Sequence, residues 1–168
     1  IASVNGEVLM PAASAVKAIW VAAAVREVGV DAVAPLQRAI FVDSSNSAAG
    51  QVIDLLGPKC HLGIDRMNTL VSLEFELAST FVPAWYDCRR ASATMPRWAA
   101  GWGASYTTTN DLATFWMRLP EGGLLGIADT ATVIEWAAAD RSPIYEILIP
   151  RLPAGTEISH KSGVKSSV

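Results

Sequence analysis

Charge, lysine and metal-binding side chains are all scarce in this chain of 168 residues. Asp, Glu, Lys and Arg make up 17% of it against 51% hydrophobic residues, and the net charge is −3. No basic stripe or block is present, which argues against nucleic acid as a partner. The two histidines, His61 and His160, are isolated, and the two cysteines, Cys60 and Cys88, fit no zinc spacing. No metal or other cofactor is therefore expected. The cysteines can pair as one disulfide or stay as two buried thiols. Long apolar runs are missing too. Mean hydropathy is +0.31, yet nothing approaches the ~20 uninterrupted apolar residues of a membrane span. The nearest run, Ala12 to Val25, is broken by Lys17. The chain opens at Ile1 without a signal peptide, which points to a mature form or a fragment.

What is present is enough apolar material for one domain with a sizeable core. Asn5-Gly6 between short apolar pieces reads as the end of a hairpin. A helix is expected from about Ala13 to Val28, stopped by Gly29. A second should begin near Ala34-Pro35, with proline early in the helix. "NSAAGQVIDLL" reads as a third, ending at Gly57-Pro58. Residues 59–80 look helical but irregular, and 81–106, with three tryptophans, reads as a long packed loop. "TTTNDLATFWMRL" opens a helix in which Thr108 and Asp111 have capping-box spacing. "DTATVIEWAAAD" is another, capped by Asp129 or Thr130, and "PIYEILIP" a short last one. The chain then turns at Pro153-Ala154-Gly155 and becomes extended. The predicted class is α+β and mostly helical, with strand at the two chain ends.

Four lysines occur in the whole sequence, and one of them, Lys17, sits in the most apolar segment. A buried lysine must be paired, deprotonated or chemically employed. Ser14 lies three residues earlier, on the same face of a helix. A hydroxyl beside a desolvated amine is a way to make an alkoxide nucleophile. The spacing alone is weak, since Ser162 and Lys165 share it. Ser14 differs in its expected place in the first turn of a helix, where outward N–H groups and the dipole favour negative charge. Two further stretches draw notice. Ser44-Ser45-Asn46 stands at a junction of two helices, where helix capping is the plainer explanation. His160-Lys161-Ser162-Gly163 has the plainer reading of a solvated strand end.

In order, Ser-x-x-Lys, Ser-x-Asn and Lys-Ser-Gly resemble the motif set of class A β-lactamases and penicillin-binding proteins. The flanks are similar too: "SSNSAAGQVIDLLG", "YTTTNDLATFWMRL" and "YEILIPRLPAGTEISHKSG". The resemblance covers most of residues 5–165 apart from the middle loop. It implies a serine hydrolase of the β-lactamase/transpeptidase fold, here one domain over 1–168. The helical part would be about 12–150, and the sheet portions about 1–10 and 156–168. By the same resemblance Ser14 is the acylated nucleophile and Lys17 takes its proton. Ser44 relays a proton to the leaving nitrogen. Asn46 binds the substrate's amide carbonyl. Lys161 and Ser162 hold a substrate carboxylate and tune the field at Ser44. Gly163 lets a ligand approach the strand, and the backbone N–H groups of Ser14 and Val164 form the oxyanion hole. The substrate implied is a small molecule or peptide bearing a carboxylate, met outside the cytoplasm. That compartment permits a Cys60–Cys88 disulfide.

Four departures from the pattern bear on function. Ser45 stands in place of Asp, and Ser162 in place of Thr. The loop before Thr107 carries no acid between Asp87 and Asp111, where the family's deacylating glutamate is expected. Glu74, Glu76 and Asp87 are the remaining acids to consider, with no spacing that favours any of them. Outer strands and terminal helices are lacking, so either the chain is partial or a partner chain completes the sheet. These departures keep a second expectation open, a non-catalytic binding domain on the same scaffold. The six tryptophans read mainly as packing, and Arg89-Arg90 as a solvated pair.

Overall fold

From Ala18 to Val25 the sequence is apolar on every side, and a helix of that kind has to be surrounded. In the computed structural model it is. The structure describes residues 5–57, 60–82, 105–140, 149–156 and 158–163. Helix α1 (Lys17–Val28) is buried continuously from Lys17 to Val25. It packs against α2 (Val30–Phe41), α3 (Asn46–Asp54), α4 (Cys60–Thr69), α6 (Ile127–Ala138) and the π-helical turn Leu70–Glu74. One apolar core results, with Ile19, Ile40, Phe41, Ile53, Met67, Leu70, Phe75 and Phe115 all at 0% exposure.

The helix boundaries differ from expectation for local reasons. Gly29 at φ 86°, ψ 160° both ends α1 and begins α2, so the chain reverses in one residue. That conformation suits glycine, and it lets α2 start at Val30 rather than near Ala34. Pro35 therefore lies inside α2. Helix α6 starts at Ile127 with Gly126 as its N-cap, ahead of the expected Asp129 or Thr130. Asp129 instead sits in the first turn, where the helix dipole favours a carboxylate. Helix α5 (Thr109–Arg118) keeps the expected cap: Thr108 Oγ1 accepts from the Asp111 N–H at 3.1 Å. Asp111 Oδ2 does not complete the box. It accepts from the Ser79 N–H at 2.9 Å and Thr80 Oγ1 at 2.7 Å, tying α5 to the segment after the π turn.

The sheet is where expectation and structure part most. Its two strands are β1 (Met10–Pro11) and β2 (Tyr106–Thr107), antiparallel, with an isolated bridge from Phe81 to Tyr106. Residues 158–163, expected as a strand, join no ladder among the described residues. The Asn5-Gly6 turn forms, with Val8 N–H on Asn5 O at 3.1 Å. Its Gly6 carbonyl takes the Asn110 N–H at the start of α5, so the turn docks on a helix end. The Pro153-Ala154-Gly155 turn is closed by Thr156 N–H on Pro153 O at 3.1 Å. The short helix expected over 143–150 lies largely outside the described residues, which show a 3-10 turn at Ile149–Arg151. No helix among the described residues is long and apolar enough to cross a membrane.

Candidate active site

Strand β1 delivers the chain to Ser14 through a tight bend. The Ala12 N–H donates to Ser105 O at 2.8 Å, fixing the end of the strand. Ala13 then adopts φ 47°, a conformation that costs a residue with a Cβ. Two i→i+3 turns follow, Ala15 N–H on Ala12 O and Lys17 N–H on Ser14 O, each at 3.1 Å. Helix α1 starts only at Lys17, so Ser14 lies in the turn leading to the helix and not in its first turn. The bend at Ala13 is the reason: the chain cannot be helical until it has changed direction. Ser14 is half-buried, and its hydroxyl and its N–H have no hydrogen-bond partner among the described residues. Both remain available to a ligand.

Gly163 lies against this turn. A Cβ there would come within 2.9 Å of Ala15 N and 3.0 Å of Ala12 O. The missing side chain admits the protein's own Ser14 turn, where the sequence suggested an approaching ligand. The contact also places the Lys161-Ser162-Gly163 segment beside Ser14.

Lys17 is 1% exposed. Its Nζ donates to Ser44 O at 2.5 Å and to Asn46 Oδ1 at 2.8 Å. Burial, reinforced by the charge of Lys161, lowers its pKa from the usual 10.5 to about 8. Ser44 holds its carbonyl on Lys17 from a left-handed backbone, φ 51°. Ser45 caps α3, its Oγ accepting from the Ala48 N–H at 3.2 Å. The middle serine thus takes the capping role, while Ser44 and Asn46 flank it with the lysine contacts. The Asn46 amide nitrogen has no partner among the described residues, and the residue is exposed. Ser14 Oγ makes no hydrogen bond to Lys17 Nζ; the link between the two residues is the backbone turn.

Lys161 is 6% exposed and forms an ion pair with Asp140, 3.3 Å from Nζ to Oδ2. Its Nζ also reaches Ser162 O at 3.2 Å and Ser162 Oγ at 3.4 Å. Asp140 is absent from the residues singled out in the sequence. A signal was available: it follows the C-terminal end of α6, where the dipole opposes a carboxylate and a buried one needs a cation.

Two of the three acids considered as substitute bases stand elsewhere. Glu74 is bound by Arg26 at 2.7 Å, nine residues along α1 from Lys17, or about 13 Å by helical rise. It also meets Arg66, which pairs with Glu27 at 2.6 Å. Glu76 pairs with Arg118 at 2.9 Å at the far end of α5. Asp87, Cys88, Arg89, Arg90 and Val164, expected as the second oxyanion donor, lie outside the described residues. A small cleft lined by Asn68, Thr69, Ser72, Leu73, Ala78, Thr80 and Phe81 shares no residue with the Ser14 site. Its polar side chains are engaged within the protein, Asn68 clamping Val82 through bonds of 2.9 and 2.7 Å.

No protein-family model matches the chain, and no curated protein does. Solved structures do. A variant of the last common ancestor of Gram-negative bacteria β-lactamase class A aligns with a TM-score of 0.70 and 22% identity, over 95% of this chain and 66% of that one. A tryptophan-to-aspartate mutant of the same ancestor aligns equally well, with 67% of its length covered. The chain therefore has a class A β-lactamase-like fold and spans about two thirds of the length of these enzymes.

Proposed function

We propose that the protein is a serine hydrolase that forms an acyl-enzyme at Ser14 with an amide, ester or β-lactam. The observation that carries this reading is Lys17. It is a buried amine with a pKa near 8 and only neutral acceptors, three residues from a serine whose hydroxyl is unengaged. At neutral pH a useful fraction of such an amine is unprotonated and can take the hydroxyl proton as Ser14 attacks. The Ser14 N–H donates to the oxyanion, with Val164 as the expected second donor. Ser44 returns a proton to the leaving group. Asn46, its Oδ1 held by Lys17, offers its amide nitrogen to a substrate carbonyl. Lys161 and Ser162, the groups that the resemblance assigns to a substrate carboxylate, border the same site. Glu74 and Glu76 are tied into ion pairs away from Lys17, and Asp140 is held by Lys161 and Ser162, so deacylation lacks a free carboxylate base among these acids and the acyl-enzyme accumulates. The reading carries an extracytoplasmic location.

The test is labelling with a fluorophosphonate and a fluorescent penicillin, read by intact mass. A single adduct that disappears in Ser14→Ala is expected. A folded, full-length protein that gives no adduct with either probe supports the second reading, a non-catalytic binding domain. The absence of a direct Ser14–Lys17 hydrogen bond is the observation in that reading's favour.

A further inference from the structure

Asp140 is 2% exposed and holds three donors on one oxygen. Its Oδ2 accepts from Lys161 Nζ at 3.3 Å, from the Ser162 N–H at 3.2 Å and from Ser162 Oγ at 3.4 Å. His160 Nε2 lies 3.7 Å from the same oxygen. Lys161 and Ser162 are the groups that a substrate carboxylate would need. They are already turned to a carboxylate of the protein, and the Lys161 side chain is 1% exposed. An incoming anion would have to compete with Asp140 for a buried ammonium and bring a second negative charge beside the first, which is unfavourable. We propose that Asp140 is an internal occupant of the anion subsite and the specificity-determining residue of the Ser14 site, directing it to acyl donors that carry no neighbouring carboxylate.

In its kinetic form this inference rests on Ser14 being the acylated residue. Its pairing with Asp140 does not isolate Lys161 from Lys17, whose pKa it still lowers. A substrate whose acyl group is neutral has no such pair to disrupt. It needs only Ser14, the amide of Asn46 and the oxyanion donors.

The experiment uses two activated aryl esters alike except that one bears a free carboxylate and the other its methyl ester. For the wild type, kcat/KM for the neutral ester is expected to equal or exceed that for the anionic one. Asp140→Asn should shift the ratio at least tenfold toward the anion, and Lys161→Gln should leave it as in the wild type. A wild-type preference of tenfold or more for the anion, lost in Lys161→Gln, would overturn the proposal. Lys161→Gln decides the matter alone if Asp140→Asn does not fold, as judged by circular dichroism. Binding of the same esters to Ser14→Ala, followed by NMR titration, separates the inference from the catalytic reading. Absence of Ser14 acylation sinks that reading, yet the titration still applies. Ser14→Ala should bind the anionic ester no more tightly than the neutral one, and Ser14→Ala with Asp140→Asn at least tenfold more tightly. Tighter binding of the anion to Ser14→Ala itself would refute the internal occupant.

Discussion

Lys17 and Lys161 are both almost fully removed from solvent, at 1% and 6% exposure, but the oxygens around them differ. Lys17 has a backbone carbonyl and an amide oxygen, which accept hydrogen bonds without supplying a negative charge. Lys161 has Asp140. A desolvated ammonium with neutral partners gives up its proton more readily, and one beside a carboxylate keeps it. The same side chain is thus the proposed base at one position and half of a buried ion pair at the other. The charge at the second position then lowers the pKa at the first. Two buried lysines with equivalent partners would give neither role.

The sharpest way to break this contrast is to remove the amine. Lys17→Met should slow Ser14 acylation by ~10²–10⁴-fold, the usual worth of a positioned general base. The same substitution should stabilise the protein. The folded state holds the Lys17 proton less tightly than the unfolded chain, so the lysine destabilises the fold fully below pH 8. That penalty is relieved as pH rises from about 8 toward 10.5. Replacing the lysine with an apolar chain of similar length should add about 1–3 kcal/mol at pH 7, read as a higher unfolding midpoint. Loss of both activity and stability would mean that Lys17 is a structural strut.

A second expected effect follows from the engagement of Glu74, Glu76 and Asp140 in ion pairs, which leaves none of them free to activate water. With an activated ester, one acyl group per protein should appear in a burst, and turnover should then run ~10²-fold or more below the acylation rate. Stopped-flow absorbance gives both phases. Steady turnover without a burst would place an efficient base near Ser14. A third effect joins the two lysine regions. Gly163→Ala puts a Cβ against the backbone of Ala12 and Ala15, so the Ser14 turn must shift. A loss of about 1–3 kcal/mol of stability and a roughly tenfold slower acylation are expected. The smallest effect belongs to the ion pairs at the far ends of α1 and α5. Glu74→Gln and Glu76→Gln remove exposed ion pairs and should leave deacylation within about twofold of wild type.

Much of the helical frame was legible because its signals are local. The apolar run of α1, the Thr108 cap and the Pro153-Ala154-Gly155 turn each follow from a few neighbouring residues. Lys17 stood out for the same reason, a polar residue in an apolar segment. What the sequence concealed depends on distant contacts. The start of α1 at Lys17 follows from a bend at Ala13 that is fixed by Ser105. The β1–β2 pairing joins residues about 95 apart along the chain, Met10 with Thr107. Asp140 has no motif of its own and gains its meaning only when Lys161 folds onto it. Gly163 was noticed, but its neighbour is the Ser14 turn, which no local pattern announces.

The pH dependence of Ser14 acylation is the most direct measure of the central claim, followed as adduct formation with a neutral activated ester between pH 6 and 11. Unprotonated Lys17 is the active form, so the rate should climb about tenfold per pH unit on the acid side, bend near pH 8 and level off above it. Lys17→Met should lose the bend. A wild-type profile that shows no inflection near 8, or that keeps rising to the ordinary lysine value of 10.5, would contradict Lys17 as the base.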